Sequence, residues 1–302
     1  MKRFCFCLLF YASIVSAQVH EDIDVNVVNV YLSATDTKGR FVTDLKPDDL
    51  ILKEDGVDQN ITYFSNFANE KSDKLGEKDV PLTIAFVMDV SESMNQRVTD
   101  QQKIDIVKNA ALRVLDELKP DDRMELIAFN QTPKEVEPLT PDKKKFTQEL
   151  LFQDVEGGNT ALLDSIYFAQ DKLRGEFGRK ILVVCSDGDD TSSYLRFDEV
   201  LSNVIASDVT ILSFGTMNLT SGSIKGHYVM QKMAEASGGY AFFPTSLNQL
   251  NQVMDQLRQA MRSQYSIGYR PIKPMDGSWH KIEIACKRPE LKLRYRQGYF
   301  AK

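Results

Sequence analysis

The chain is poor in the residues that build disulfide frameworks and zinc clusters, with four cysteines and three histidines among 302 residues. Cys5 and Cys7 sit at the extreme N-terminus, and His20, His227 and His280 are scattered, so their spacing offers no zinc constellation. No apolar run is long enough for a comfortable membrane span; the best, Phe4 to Val15, is too short. Basic charge is not in excess either, since 37 Lys and Arg face 43 Asp and Glu for a net charge of −6. That balance argues against nucleic acid and anionic membrane as partners. The Gly-x-Ser-x-Gly elbow, the phosphate-cradling Gly-Lys-Ser/Thr loop and the Gly-x-Gly-x-x-Gly fingerprint are all missing. With no nucleophile–base pair in view, an enzyme is not expected.

What is present begins with a targeting signal. Met1-Lys2-Arg3, the apolar stretch to Val15 and the small residues Ser16-Ala17 read as a secretory signal peptide over 1–17. Neither Cys5 nor Cys7 follows the cleavage site as a lipid-anchoring cysteine would. The expectation is an exported protein without an integral membrane segment, periplasmic or extracellular, whose mature charge falls to −8 once Lys2 and Arg3 are removed. Of the two remaining cysteines, Cys185 ends the apolar run Ile181–Val184 and Cys286 lies in a distant β-like segment. They read as two buried free thiols rather than a disulfide.

The hydrophobic period then divides the chain. Alternation at Val28, Val30, Leu32 and at Leu50, Leu52 predicts strands, with Asp55-Gly56 as turn residues before Ile61–Phe64. The charged stretch 69–78 reads as a linker or long exposed loop. From Val80 the rhythm changes to apolar runs at Leu82–Met88, Met124–Phe129, Ile181–Cys185, Val209–Phe214 and Tyr240–Phe243. Between them lie helix-period segments, the first carrying Ile104, Val107, Ala111, Val114 and Leu115 on one face before Pro120. Strands apolar throughout, alternating with helices, indicate a doubly wound, mostly parallel α/β sheet covered on both faces. After Met261 alternation returns at Tyr265, Ile267, Tyr269, then Ile282, Ile284, Cys286, then Leu291, Leu293, Tyr295.

Three strands at each end are few for an independent fold. The expected organisation is therefore an α/β domain over 79–262 inserted into one small β-sandwich built from 18–78 and 263–302. Two separate β appendages packed on the α/β domain are the alternative.

Ligands of open parallel sheets bind at the carboxyl ends of the strands, and three polar features fall there. Asp89-Val90-Ser91-Glu92-Ser93 follows the first apolar run. Gly157-Gly158-Asn159-Thr160 precedes a helix beginning at Ala161, and Ser186-Asp187-Gly188-Asp189-Asp190 follows Cys185. Singly, each reads as caps and turns. As a set of small oxygen donors on tight loops they suit a hard divalent cation better than a nucleophile. A haloacid-dehalogenase-type phosphotransferase would need a second acid two residues after Asp89, where this chain has Ser91.

Asp-x-Ser-x-Ser, Gly-Gly-x-Thr and Asp-Gly in this order resemble the von Willebrand factor type A domain over about residues 79–262. The flanks Asp44-Leu45-Lys46-Pro47-Asp48-Asp49-Leu50, Glu54–Gln59 and Arg296-Gln297-Gly298-Tyr299 look like a bacterial exported subgroup, the acidobacterial-type type A-related family. The resemblance implies a metal-ion-dependent adhesion site in which Asp89, Ser91, Ser93, Thr160 and Asp187 hold the cation. Glu92 departs from the small residue common at its position. Magnesium is the expected ion, with manganese or calcium compatible with the same ligand types. The function so implied is metal-dependent capture of a protein ligand that supplies an Asp or Glu carboxylate. A cell-envelope scaffold or assembly subunit with a structural metal is the alternative, ahead of a metal-dependent hydrolase. Oligomeric state is not legible.

Overall fold

The computed structural model describes residues 27–69, 80–98, 100–215, 224–244, 246–274 and 276–301. The expected signal segment and nearly all of the expected linker lie outside the described residues. A six-stranded sheet forms the centre of the α/β part, in the order Tyr240–Phe242, Thr210–Gly215, Arg179–Ser186, Leu82–Asp89, Arg123–Phe129, Pro133–Thr140. All neighbours are parallel except the last pair. The expected doubly wound sheet is therefore present, with one antiparallel edge strand that hydrophobic periodicity did not indicate.

That edge strand is half-exposed and carries Pro133 and Pro138. Proline is tolerated there because an edge leaves some backbone donors without ladder partners in any case.

The central strands are buried along nearly their whole length because both faces are covered. Ile84, Phe86 and Met88 point into a core made with Ile104, Val107, Ala111, Val114 and Leu115 of helix Lys103–Asp116, with Phe146 and Leu150, and with Leu257 and Met261. Ala85 and Val87 point the opposite way, onto Ile166, Ala169 and Leu173 of helix Leu162–Leu173 and onto Val200, Val204, Met230 and Met233. Asp142 starts helix Lys143–Phe152 by accepting from the backbone N–H groups of Lys144 and Lys145, as the acid-before-lysines pattern predicts.

Two four-stranded antiparallel sheets flank this unit, and each interleaves strands from before and after it. One runs Lys292–Tyr295, Val28–Thr35, Gln264–Tyr269, Ile61–Asn66; the other runs Gly298–Phe300, Trp279–Cys286, Leu50–Glu54, Val57–Gln59. Their facing side chains share one core of Val30, Leu32, Leu52, Tyr265, Ile267, Tyr269, Ile282 and Tyr299. This is a β-sandwich with the α/β unit inserted between Ile61–Asn66 and Gln264–Tyr269, which pair with Tyr265 opposite Asn66 and Ile267 opposite Phe64. The hairpin at Asp55-Gly56 returns through the short strand Val57–Gln59 within its own sheet, so Ile61–Asn66 belongs to the opposite sheet and is not the hairpin partner.

Cys185 and Cys286 are free thiols as expected. Cys185 is buried, which pushes its pKa up to about 12. Cys286, expected to be buried, is partly exposed because it ends its strand.

Tyr265 ties the two ends of the chain together. Its ring is fully buried, its Oη–H donates to the Val42 carbonyl at 2.8 Å, and its oxygen accepts from Leu45 N–H at 3.2 Å. Tyr265→Phe strands both backbone groups and should cost about 1–3 kcal/mol, read as a lowered urea midpoint with an unchanged slope.

Candidate metal centre

Leu82–Asp89 is where the sheet reverses its winding. The chain next adds Arg123–Phe129 on one side and later Arg179–Ser186 on the other. A crevice opens at the carboxyl ends of strands at such a switch point. Asp89 ends the first strand there and Ser186 ends its neighbour. Parallel register sets Met88 opposite Cys185, so the next residue of each chain meets across the gap. Ser186 Oγ–H donates to Asp89 Oδ2 at 2.6 Å and accepts from Gly188 N–H at 3.0 Å. Asp89 Oδ1 accepts from Ser91 N–H at 2.9 Å, an Asx turn that swings the following loop back over the carboxylate.

The other expected residues are gathered around this pair. Ser91 Oγ stands 3.3 Å from Ser93 Oγ. The Gly-Gly loop is laced to the Asp-x-Ser loop, because Glu156 N–H and Gly157 N–H both donate to Val90 O, and Glu92 N–H donates to Gly158 O. Gly157 has φ +79°, a backbone conformation that suits glycine. Thr160 N–H donates to Thr191 Oγ1 at 2.9 Å, and Thr160 O accepts from Thr191 N–H and Ser192 N–H. These bonds seat Thr160 against the loop that bears Asp187. Gly188, with φ +89°, lets that loop pack on helix Ile224–Ala236, where a Cβ would come within 2.7 Å of the Gly226 backbone.

Asp89, Ser91, Thr160 and Asp187 are buried, whereas Ser93 is half-buried. Burial pushes the Asp89 carboxyl up to about 6, against hydrogen bonds from Ser186 and Ser91, and Asp187 nearby adds to the rise. Asp187 Oδ1 is buried with no hydrogen-bond partner. Its Oδ2 is 3.3 Å from Nζ of Lys103, a side chain only 2% exposed. Among the described residues Lys103 is paired with Asp187 alone, so two neighbouring buried acids have one ammonium between them, an electrostatic condition a cation would relieve.

Sequence reasoning did not single out Lys103 or assign a role to Ser186. Lys103 carried a signal, since it is the first residue of helix Lys103–Asp116, where a positive charge opposes the helix dipole. Ser186 was readable only as the residue before Asp187.

Residues 84–189 match the family model of the von Willebrand factor type A domain. The α/β unit thus contains a von Willebrand factor type A domain over residues 84–189. Relatives of the type A domain include inter-alpha-trypsin inhibitor heavy chain H3 of Rattus norvegicus, 28% identical over 178 residues, which make up 54% of this chain and 19% of that protein. The mouse heavy chain H3 is 31% identical over 137 residues, 41% of this chain and 15% of the relative. The chain thus spans less than a fifth of the length of the curated relatives it matches.

Among solved structures, proximal thread matrix protein 1 from the mussel byssus, described with a zinc-occupied metal-ion-dependent adhesion site motif, aligns with TM-score 0.53 at 19% identity. It covers 63% of this chain and 48% of its own. An aerotolerance-related membrane protein from Bacteroides fragilis aligns with TM-score 0.50 at 16% identity, covering 60% and 98%. These likenesses bear on fold. Type A domains form a family of metal-dependent adhesion and protein-interaction modules. Among the described residues no helix is long and apolar enough to cross a membrane.

The buried Asp89 carboxyl sets a pH dependence for the metal-free protein. Its folded pKa, about 6, lies above the ordinary 3.8, so the folded state holds the proton more tightly than the unfolded state does. Its favourable contribution is therefore complete below about pH 4 and is lost as pH rises through 6. Urea unfolding in EDTA at pH 4.5 and 7.5 should show this loss, on the order of 2–3 kcal/mol, in wild type. Asp89→Asn, which can still accept from Ser91 N–H and donate to Ser186 Oγ with that bond reversed, should lack it.

Proposed function

We propose that this chain is an exported, non-catalytic binding protein whose type A domain, taken as residues 79–262, captures an acidic side chain of a protein partner through a divalent cation. Asp89, Ser91, Ser93, Thr160 and Asp187 would hold that cation, and residues 18–78 and 263–302 would serve as the sandwich that carries the domain. The observation that supports the reading most is the orphaned buried Oδ1 of Asp187, in the same crevice as Asp89 and the Ser91–Ser93 hydroxyl pair. A hard cation fits this donor set, since every contributed atom is oxygen and only two of the five residues are charged. What a bound magnesium ion supplies is an incompletely neutralised positive charge with room for further oxygen donors, and a carboxylate is the side chain that answers it best.

The residues around the crevice have separate tasks. Ser186 holds Asp89 in place through its 2.6 Å hydrogen bond and the Asx turn at Ser91 orients the loop, so Asp89 is set before any ion arrives. Lys103 lends Asp187 partial compensation in the metal-free protein and opposes a second positive charge. The sequence offers no nucleophile–base pair, so capture rather than turnover is the task this crevice suits.

Magnesium titration followed by calorimetry should give one site in wild type and at least a tenfold loss of affinity in Asp89→Ala. Capture of acidic partner proteins from envelope extracts by the mature chain should be abolished by EDTA and by the same substitution. Capture indifferent to both would overturn the reading. A magnesium-dependent rise in melting temperature without metal-dependent capture would assign the ion a structural role instead.

Lys103→Met should tighten magnesium binding about tenfold, equivalent to about 1.4 kcal/mol, while lowering the stability of the metal-free protein. The two effects are separated by titrating folded protein and by unfolding it in EDTA.

A further inference from the structure

We propose that Glu54, Asp55 and His280 form a second metal site, for a zinc-class ion, inside the β-sandwich and independent of the type A domain. Among the described residues, these three offer ligand atoms that all lie within 4.8 Å of one another. Glu54 and Asp55 are adjacent, and His280 comes from far away in sequence. Glu54 ends strand Leu50–Glu54, Asp55 opens the following turn, and His280 lies in the adjacent strand Trp279–Cys286.

The backbone builds the site. Asp55 adopts φ +49° and Gly56 φ +80°, the left-handed pair of a two-residue hairpin turn. This turn lays the Asp55 side chain across the neighbouring strand, where Oδ1 accepts from Lys281 N–H at 2.8 Å. Oδ2 is thereby left facing His280 Nδ1 at 2.9 Å.

Glu54 is 1% exposed, and its two oxygens are treated differently. Oε2 accepts from Tyr269 Oη–H at 2.6 Å and from Tyr299 Oη–H at 3.0 Å. Oε1 is buried, has no hydrogen-bond partner, and points at His280 Nδ1 from 3.6 Å. A buried carboxylate oxygen without a donor is costly, and a cation between it and the imidazole would remove the cost.

The surroundings match those of a metal-bound histidine. His280 is 3% exposed, its ring stacks on Tyr299, and its Nε2 is 3.0 Å from Ser278 Oγ. A hydrogen bond on the outer nitrogen sets the tautomer that frees the inner one to ligate. The two tyrosine hydroxyls fix the Glu54 carboxylate in the same way. Donors held ~2.0–2.2 Å from one tetrahedral or octahedral ion stand ~2.9–3.6 Å from each other. The separations from Nδ1, 2.9 Å to Asp55 and 3.6 Å to Glu54, fall within that range. One imidazole with two carboxylates selects zinc or a neighbouring transition metal over magnesium or calcium.

Lys273 Nζ now sits 2.6 Å from Asp55 Oδ2. Its side chain is 48% exposed, so it can swing into solvent and leave that direction open for water as a further ligand.

The test uses zinc alone, on the mature chain carrying Asp89→Ala so that zinc in the type A crevice does not contribute. One zinc equivalent should bind and raise the melting temperature, and cobalt in its place should give visible absorption bands of a nitrogen–oxygen site. Asp55→Asn and His280→Gln should each weaken zinc at least tenfold and remove the cobalt bands. Asp55 is partly exposed, so its variant keeps the test decisive if His280→Gln fails to fold. Zinc affinity unchanged in folded Asp55→Asn, or no zinc bound in the Asp89→Ala parent, would overturn the proposal and leave the hydrogen bond between His280 Nδ1 and Asp55 as the role of this cluster.

Discussion

The parallel pairing of Leu82–Asp89 with Arg179–Ser186 is the constraint on which the candidate centre depends. The side-chain period of a strand is two, so a slip of one residue would send Asp89 to the other face and pull Phe86 and Met88 out of their core. The two cores on opposite faces of the sheet hold the register from both sides at once. Because Met88 stands opposite Cys185, the bond from Ser186 to Asp89 follows without any further adjustment. The acid is costly where it sits, as its raised pKa records, and the hydrophobic packing of the central strands offsets that cost. Stability is thus spent at the carboxyl end of the sheet and recovered in its middle.

The sandwich solves a different problem, that of returning the chain. Ile61–Asn66 leads towards the type A domain and Gln264–Tyr269 leads away, and the two are hydrogen-bonded neighbours. An inserted unit whose ends meet a single strand pair adds little closure entropy to the host fold beyond bringing those ends together. Contacts then fasten the two units. Arg294 lies over the Tyr240 ring and donates to Gly239 O at 2.7 Å, while Ser33 and Tyr240 share a hydrogen bond of 2.8 Å. Arg179 stacks on the Phe67 ring. A partner's pull on the type A crevice would therefore reach the sandwich through specific side chains as well as through the connecting chain.

Much of this was legible because hydrophobic period reports burial directly. Uniform apolar runs meant strands covered on both faces, and alternation at both ends meant strands covered on one. Two of the three polar loops could be placed at one edge of the sheet because parallel strands all end on the same side, whereas the loop 157–160 follows a helix and was placed with them by its motif. What escaped was whatever periodicity does not encode. Pro133–Thr140 is a half-exposed edge strand with two prolines, so it resembles a loop in composition. Val57–Gln59 is too short to show alternation. Lys103 is marked only by its unfavourable place at the start of a helix, and its burial beside Asp187 appears only in the fold. His280 lies 225 positions from Asp55 and became a neighbour only through the pairing of two strands, which no local spacing can reveal.

Both acidic centres set a lysine on an aspartate, and the burial of that lysine separates them. Lys103 is sealed in, so its ammonium remains beside Asp187 whether or not another cation arrives, and it can only moderate what binds. Lys273 is half in solvent and pairs with Asp55 from outside, so it can leave at the cost of one surface ion pair, about 0–1 kcal/mol. If a cation binds there, the first arrangement would keep it weak enough to depend on a partner's carboxylate. The proposed second site would close around its ion with no partner at all. On this reading the type A crevice is built for exchange, and the sandwich site for retention.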